Sequence, residues 1–173
     1  LTIASDATNS PLVVTLSGTG VALPEPVVTF PAQDFADTVI GENAAATRQV
    51  TIRNDRTRNI GYSVAETADF KIAGESCAGR VVPGGGTCTV TWRFSPTLGA
   101  GEGRRQATIS FSFTGTLGDP APSSVGGTLA GNALLPILPS ATALDAAAVV
   151  GTPTTVAMLL TNRSASGVVL SSL

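Results

Sequence analysis

Apolar and polar residues alternate most clearly between Thr87 and Phe94, near the middle of the chain. The apolar members of this run fall on every second residue and are Cys88, Val90, Trp92 and Phe94. A period of two predicts a β-strand with one face buried and the other in solvent. Because the run contains the single tryptophan of the chain, we expect this strand to be the centre of the hydrophobic core.

Shorter runs of the same kind recur along the whole chain. The predicted strands are 12–17, 27–30, 47–53, 60–64, 68–72, 107–113, 125–131 and 156–160. Turns rich in glycine and proline separate them, including a Gly/Pro/Ser loop at 115–124, and the Ala-rich run 144–150 is too short for a stable helix. The pattern therefore predicts an all-β fold built as a sandwich. Its expected core residues are Val50, Ile52, Phe70, Val90, Trp92, Phe94, Ile109, Phe111, Phe113 and Leu129.

The two cysteines of the chain, Cys77 and Cys88, stand on either side of the turn sequence PGGG at 83–86. We expect the runs before and after this turn to pair like a hairpin, which brings the cysteines together. Their spacing suits a disulfide, worth roughly 3 kcal/mol for a loop of this size, and two free thiols are the alternative. A disulfide indicates an oxidising compartment, so that the protein is extracellular, at the cell surface or periplasmic.

Parts of the sequence recur at a spacing of about 110 residues. Residues 15–18 (TLSG) return as 128–131 (TLAG). Residues 50–54 (VTIRN) have a counterpart in 158–162 (MLLTN). A period of this length is typical of tandem domains rather than of a solenoid of small units.

Proline-rich linkers at 24–26 and 135–139 divide the chain at matching places in this repeat. We therefore expect 1–23 to be the C-terminal strands of a preceding repeat and 24–134 to be one complete domain. Residues 135–173 are then the N-terminal strands of a following repeat. On this reading neither flank can bury a core of its own, and the chain is expected to be part of a longer polypeptide.

Three motifs resemble a known family. They are Phe70-x₆-Cys77, then Val82-Pro83-Gly84-x₃-Cys88-Thr89-Val90-x₃-Phe94-Ser95-Pro96, and Leu129-x-Gly131. Together they resemble the immunoglobulin-like ASH/hydin-type domains, most closely their bacterial secreted relatives, the choice-of-anchor D type repeats. The resemblance implies a seven-stranded sandwich with a cysteine pair, related in shape to the major sperm protein and pilus-chaperone folds. It implies no catalytic residues.

Charge and composition exclude several functions. The net charge is −2, which does not favour binding to a phosphate backbone, so we expect no nucleic-acid partner. No apolar run approaches the roughly 18 residues of a membrane-spanning helix. The chain has no histidine, which excludes Ser–His–Asp and Cys–His nucleophiles and a structural zinc site built with only two cysteines. A serine–lysine dyad would need Lys71, the sole lysine, which belongs to no SxxK motif.

Two sets of acidic residues were weighed as sites. Asp34, Asp37 and Glu42 lie on one predicted loop and have oxygen ligands suited to calcium, but they lack the regular spacing of a calcium loop, and a solvated acidic loop is the alternative. Asp69 and Glu75 are the best-placed carboxylate pair for glycoside hydrolysis, although nothing in the sequence marks a cleft around them. We expect neither a metal nor a catalytic pair.

Other motifs also have a structural alternative. Gly84-Gly85-Gly86 is an anion-binding nest or, as we expect, a tight turn. Asn162-Arg163-Ser164 is a glycosylation sequon or a turn at a strand end. Tyr62 and Trp92 line a sugar-binding face or belong to the core, and the parity of its strand places Trp92 in the core.

These observations favour a non-enzymatic, exported structural or adhesive protein made of tandem immunoglobulin-like domains. Its rigid sandwiches would act as spacers and contact other protein chains or neighbouring domains of the same polypeptide. No cofactor is expected. Two alternatives remain open: an accessory binding module of a larger secreted enzyme, and a subunit of a surface filament or membrane-associated complex.

Overall fold

The computed structural model describes residues 2–8, 10–30, 34–115 and 124–171 of the protein. Within these residues the strands are β1 (Thr2–Ile3), β2 (Leu12–Val13), β3 (Val27–Thr29), β4 (Thr38–Val39), β5 (Arg48–Arg53), β6 (Ile60–Ser63), β7 (Phe70–Glu75), β8 (Val81–Val82), β9 (Thr87–Phe94), β10 (Gly103–Thr114), β11 (Val125–Leu134), β12 (Ile137–Pro139) and β13 (Leu160–Asn162). Short 3-10 turns cover Ala78–Arg80 and Leu98–Ala100. No helix in this part of the chain is long and apolar enough to cross a membrane. The predicted loop at 115–124 lies largely outside the described residues.

Two sheets pack face to face and form a sandwich. One has the strand order β3-β5-β9-β7 and the other the order β4-β11-β10-β6-β8. Neighbouring strands are antiparallel except β4 and β11, which run parallel. This order corresponds to the ABED and GFC sheets of an immunoglobulin constant-type domain. The fold is therefore the immunoglobulin-like all-β sandwich that the sequence predicted.

The seven expected strand positions are present, but two of them are broken. The first is split into β3 and β4 and the fourth into β7 and β8, and in each case the second piece joins the other sheet. The second break has a local cause, because Gly79 and Arg80 have φ values of 63° and 56° in the 3-10 turn after β7. A positive φ interrupts an extended strand, and the chain crosses to the opposite sheet here.

The core between the sheets contains all ten residues that the alternation predicted. The structure buries a further set beside them: Phe35, Ile40, Ala44, Ile60, Tyr62, Val64, Val82, Cys88 and Ala133. Phe35 packs on Phe70 and Phe94, with ring centroids 5.8 and 6.0 Å away. It belongs to no alternating run, because it lies between the two halves of the broken first strand. Sequence periodicity therefore identified the strand residues of the core but not those on its connections.

The segment between the cysteines is not a hairpin, contrary to the sequence prediction. β8 pairs with β6 in the five-stranded sheet, whereas β9 pairs with β5 and β7 in the four-stranded sheet. The turn at 83–86 therefore connects the two sheets. Its backbone comes very close to that of the loop after β5, since a Cβ added to Gly84 would lie 2.3 Å from the carbonyl oxygen of Thr57. Only glycine fits at that approach.

Outside the sandwich, the N-terminal pair β1·β2 repeats a pairing found inside it. The main chain of Ile3 faces that of Leu12 in this pair. In the long hairpin β10·β11, Phe111 faces Val125. The repeat alignment places Leu12 on Val125, so β2 corresponds to β11, and each of the two has an antiparallel partner. β2 covers only the start of the strand predicted at 12–17.

The C-terminal pair β12·β13 repeats another pairing of the sandwich. Pro139 faces Leu160 in this pair, and Val28 faces Ile52 in the pair β3·β5. The repeat alignment places Leu160 on Ile52, so one strand of each pair is the same in that alignment. β13 begins at the last residue of the strand predicted at 156–160.

Apolar side chains of the two flanks are exposed where their counterparts in the sandwich are buried. Leu16 is 75% exposed, whereas Leu129, which the repeat alignment places on it, is 1% exposed. Met158 is 36% exposed, and its counterpart Val50 is 2% exposed. Each flank thus forms one strand pair and leaves these apolar side chains unburied.

Candidate functional site

Two acidic residues, Glu42 and Glu102, lie at one end of the sandwich. The carbonyl oxygen of Phe94, the last residue of β9, accepts a hydrogen bond of 2.8 Å from the N–H of Ala44. Glu102 immediately precedes β10, whose first residue pairs near the end of β11. Both side chains are therefore at the end where the chain leaves the sandwich. We call the surface that they form the acidic end.

A tight turn after β4 holds Glu42 in place. Its N–H donates to the carbonyl oxygen of Val39 at 2.9 Å, and the N–H of Gly41 donates to the carbonyl oxygen of Pro96 at 3.0 Å. Gly41 has a φ of 88°, a conformation that glycine adopts without steric cost. The turn places the carboxylate of Glu42 against residues 164–165.

The carboxylate of Glu42 accepts two hydrogen bonds from the loop after β13. Ser164 Oγ donates at 2.6 Å and the N–H of Ala165 at 2.8 Å, both to Oε1. The bond from Ser164 and then that from Ala165 lower the pKa of Glu42 below its ordinary value, because both stabilise the ionised carboxylate. The contact is therefore fully formed at neutral pH.

Glu102 makes a second contact with the same loop. Its Oε1 lies 2.7 Å from Nη1 of Arg163. The main-chain N–H of Arg163 donates to the carbonyl oxygen of Pro136 in the linker at 2.8 Å. Partly exposed ion pairs contribute at most about 1 kcal/mol, so this pair orients the C-terminal segment and does not hold it alone.

The loop bound by the acidic end has the same geometry as a loop of the sandwich itself. One follows Asn162 and the other follows Asn54. In each, the asparagine Oδ1 accepts from the N–H two residues later, as in an Asx turn, and Nδ2 donates to the carbonyl oxygen four residues later. These bonds are 2.9 and 3.0 Å long for Asn162 and 3.1 and 2.8 Å long for Asn54. The two loops therefore share the same local hydrogen bonds.

Asn54 is fully buried and joins two loops at the opposite end of the sandwich. Its Nδ2 lies 3.1 Å from the carbonyl oxygens of Val82 and Pro83. Its N–H donates to the carbonyl oxygen of Gly86 at 2.9 Å, just before β9 begins. The length of β9 separates this end from the acidic end by about 25 Å.

Arg56 attaches the N-terminal linker to this second end. Its Nε donates to the carbonyl oxygen of Pro24 at 2.9 Å. The residue is 4% exposed, and its Nη1 is buried without a hydrogen-bond partner among the described residues. A surface pocket is lined by Leu23, Arg56, Thr57 and Arg58. We call residues 56–58 the arginine loop.

The acidic residues considered as calcium ligands do not converge. Asp34 pairs with Arg104 at 2.6 Å, and Asp37 accepts a hydrogen bond of 3.3 Å from Asn132 Nδ2. Glu42 has the separate contacts given above. Within the described ranges, no group of three or more metal-ligating side chains is close enough to hold an ion. The residues have individual roles at the surface of the sandwich.

Asp69 and Glu75 stand at opposite ends of β7, about 20 Å apart along the strand. Glycosidase carboxylates are about 5 to 10 Å apart, so these two cannot act as such a pair. Asp69 accepts from the N–H of Thr97 at 2.8 Å and lies 3.8 Å from Arg105. Glu75 pairs with Arg80 at 3.1 Å. Both carboxylates connect elements of the fold.

The remaining candidates also have structural surroundings. Tyr62 and Trp92 are buried in the core, so neither lies on an open sugar-binding face. Lys71 pairs with Glu66 at 3.6 Å. The turn at 83–86 is closed by a hydrogen bond of 2.9 Å from its last residue to its first, which is the geometry of a tight turn.

Cys77 and Cys88 are joined in a disulfide, with their Cα atoms 5.5 Å apart. Cys88 lies in β9. Cys77 follows β7, beyond a hydrogen bond of 2.9 Å from the N–H of Ser76 to the carbonyl oxygen of Thr89. The bond thus connects neighbouring strands at the edge of one sheet. It closes a loop that contains β8 and the crossing between the sheets, rather than clamping a hairpin as the sequence suggested.

Sequence reasoning missed the residues that make the contacts at the two ends of the sandwich. They are Pro24, Arg56, Glu102 and Arg163. Pro24 was identified only as part of a linker and Arg163 only as the middle residue of a sequon, and neither pattern indicates the contact that the residue makes. A signal was nevertheless present, since the alignment of 50–54 with 158–162 places the loop after Asn162 on the loop after Asn54.

No protein-family model matches the chain, and no curated protein matches its sequence. Among solved structures, the chain is similar to the ASH/PapD-like domain of human CEP192 (PapD-like domain 7). The two share 14% identity with a TM-score of 0.43, and the match covers 76% of this chain and 99% of that domain. The assignment of the fold here rests on the order and register of the strands.

Proposed function

We propose that the protein is a non-catalytic structural module of a tandem array of immunoglobulin-like repeats. Its sandwiches act as rigid spacers, and their ends make protein–protein contacts. One observation supports this best: each flank forms an antiparallel strand pair, β1·β2 or β12·β13, and one strand of each pair aligns in sequence with a strand of the complete sandwich. Strand pairs of this kind, with exposed apolar residues, are expected of segments whose cores include further chain.

The boundaries of the array follow from the same observation. Residues 1–23 are the closing strands of a preceding repeat, 24–134 are a complete domain, and 135–173 are the opening strands of a following repeat. The Asx loops after Asn54 and Asn162 support this division, because they occupy the same place after the second strand of their repeats.

Both linkers of this array are hydrogen-bonded to a neighbouring loop, and a rigid spacer requires linkers whose motion is restricted. The carbonyl oxygen of Pro24 is bound by Arg56, and that of Pro136 is bound by the N–H of Arg163. Proline restricts the backbone of the linker itself. With both restraints, the angle between successive sandwiches is limited, and the array transmits distance and orientation along the polypeptide.

Export to an oxidising compartment is part of the proposal. The disulfide between Cys77 and Cys88 supports a location outside the cytoplasm, namely extracellular, at the cell surface or periplasmic. The family that fits this combination is the bacterial secreted one, the choice-of-anchor D type repeats. The proposed partners are neighbouring repeats of the same polypeptide and other protein chains.

Mass spectrometry of the intact natural protein, combined with a peptide map, tests the array. We expect a mass well above 17.3 kDa, with further sequence before residue 1 and after residue 173 that contains the rest of the two flanking repeats. A mass equal to that of the present chain would contradict the proposal, because no further sequence would then complete the two flanking sandwiches.

A further inference from the structure

Each linker of the sandwich is bound through a proline carbonyl oxygen, by a main-chain N–H at the exit and by a guanidinium at the start. At the exit, the main-chain N–H of Arg163, in the loop after Asn162, donates a hydrogen bond to the carbonyl oxygen of Pro136, the first proline of its linker. At the start, Nε of Arg56, in the loop after Asn54, donates a hydrogen bond to the carbonyl oxygen of Pro24, the first proline of the other linker. The two joints share the asparagine bonds of the loop and the proline acceptor, and they differ in the donor.

At the exit joint, the loop has a second partner on the preceding sandwich. Glu42 and Glu102 of the acidic end bind Ser164 and Arg163 of that loop. In the repeat alignment Ser164, the partner of Glu42, falls on Arg56, whereas Arg163, the partner of Glu102, falls on Asp55. The residues that correspond to this acidic end at the start joint would belong to the preceding repeat.

The arginine loop carries positive charge, which is what binding to an acidic surface requires. Arg56 and Arg58 both line the pocket beside Leu23. Arg56 as a whole is 4% exposed. Its Nε binds the linker, and its Nη1, which is buried, has no hydrogen-bond partner among the described residues. A buried guanidinium with a free donor is costly unless an anion accompanies it. Carboxylates match guanidinium geometry and charge.

We infer that the arginine loop, residues 56–58, is a docking surface for the acidic end of the preceding immunoglobulin-like repeat. The ligand is a glutamate or aspartate side chain at the position that Glu42 has in this sandwich, because the partner of Glu42 is the residue that aligns with Arg56. This inference rests on the tandem arrangement proposed above. It adds that successive repeats are joined through a carboxylate–arginine contact beside each linker.

Zero-length cross-linking of the natural full-length protein tests this contact. Carbodiimide joins a carboxylate only to an amine within contact distance, and the chain has a single lysine, Lys71, which serves as an internal standard through its pair with Glu66 at 3.6 Å. The variant Arg56→Lys puts an amine in the pocket. We expect a cross-linked peptide that joins position 56 to an acidic residue located before residue 1 in the polypeptide.

Two further variants make the result decisive. Arg58→Lys probes the same pocket from an exposed position and replaces the first variant if loss of Arg56 prevents folding. Arg53→Lys is the matched control, because Arg53 is on the strand just before the loop and already pairs with Asp55 at 2.9 Å. We expect coupling of that lysine to Asp55 alone.

Three results would overturn the inference. Coupling of position 56 or 58 only to nearby acids such as Glu25 or Asp55 would show that the pocket serves its own domain. Coupling to Glu42 or Glu102 would show self-association with a second copy. Absence of coupling, with the Lys71 standard formed, would exclude an acidic partner. A full-length mass that includes a preceding repeat would leave the proposed function intact in each case.

Discussion

The ring of Phe94 lies directly on the backbone of Gly131, across the sandwich from β9 to β11. A Cβ added to Gly131 would be 2.7 Å from both Cδ1 and Cε1 of that ring, well inside van der Waals contact. Phe94 is fully buried and stacks on Phe70 with ring centroids 5.1 Å apart. The ring has no room to move, so the distance between the sheets here requires a glycine.

Gly131→Ala is therefore expected to destabilise the sandwich by about 1–3 kcal/mol through overpacking. The matched control is Gly126→Ala in the same strand, where the added Cβ would meet its nearest neighbours at 3.4 Å. That change should be close to neutral. Denaturant unfolding followed by the fluorescence of Trp92, the single tryptophan, measures both. Equal stability of the two variants would contradict this account of the packing.

The asparagine loops give a second matched pair. Asn54→Ala removes the amide that bonds to the carbonyl oxygens of Arg58, Val82 and Pro83. Leaving buried acceptors unpaired should cost at least about 2 kcal/mol of unfolding free energy. Asn162→Ala breaks the same local bonds in an exposed loop and should change the unfolding of the sandwich by less than about 0.5 kcal/mol. Similar losses for both would show that the buried contacts of Asn54 contribute little.

Sequence periodicity predicted the parts of the fold in which one strand face is buried and the other exposed. The strand around Trp92 is the clearest case, and its parity was correct because burial alternates along β9. The method could not place Phe35, which reaches the core from a connection. It also treated the segment from Cys77 to Val82 as half of a hairpin, because the conformation that turns the chain to the other sheet depends on positive φ at Gly79 and Arg80.

The candidate site was less predictable than the core. Glu42 was noted only as a possible oxygen ligand, since nothing in its neighbourhood indicates a contact with Ser164, 122 residues away. Such a contact is set by tertiary structure and leaves no periodic or compositional trace. The internal repeat was the one sequence feature that bore on the site, because it aligned Asn162 with Asn54.

Tyr62 provides a prediction about pH. Burial first, and then the negative charge of Glu75 and a hydrogen bond to it, raise the pKa of Tyr62 from 10.0 to about 12. Since the pKa is raised in the folded state, the resulting stability is fully present below about pH 10 and is lost as the pH rises towards 12. Ultraviolet titration of the phenolate is unambiguous because the chain has one tyrosine. We expect a midpoint near 12 in the folded protein and near 10 in denaturant.

The variant Glu75→Gln separates the causes of this shift. It removes the negative charge but leaves the burial of Tyr62, so the pKa should fall only part of the way towards 10.0. If the pKa of Tyr62 returned to 10.0, its ordinary value, Glu75 and not burial would be the cause of the shift. An unchanged pKa would show that the contact of 3.4 Å between the two side chains has no effect.

The disulfide predicts two measurements on the unreduced protein. Thiol labelling after unfolding should detect no free cysteine, and two reactive thiols would contradict both the bond and the proposed compartment. In single-molecule stretching, the bond should keep the loop between Cys77 and Cys88, a separation of 11 residues, from extending. Reduction should then lengthen the unfolded chain by about 30–35 Å, the extended length of this segment less the 5.5 Å that the bond already spans. The variant with both cysteines changed to serine should show the longer extension without reductant.

The contact between the acidic end and the C-terminal loop should depend on pH without unfolding the sandwich. The pKa of Glu42 is lowered from its ordinary value of 4.5 by its bonds to Ser164 and Ala165. A lowered pKa means that the contact is fully present above pH 4.5 and is lost as the pH falls through the lower value of the folded protein. We expect the amide proton resonance of Ala165 to move in that range, while the fluorescence of Trp92 stays constant.

Two variants identify the group responsible for this change. Glu42→Gln keeps an oxygen that accepts hydrogen bonds but does not titrate, so the Ala165 resonance should become independent of pH near that range. Glu102→Gln removes the pair with Arg163 at 2.7 Å and should leave the midpoint nearly unchanged, because Ser164 and Ala165 set the pKa of Glu42. A midpoint that disappears in the Glu102 variant and persists in the Glu42 variant would assign the pH dependence to the ion pair instead.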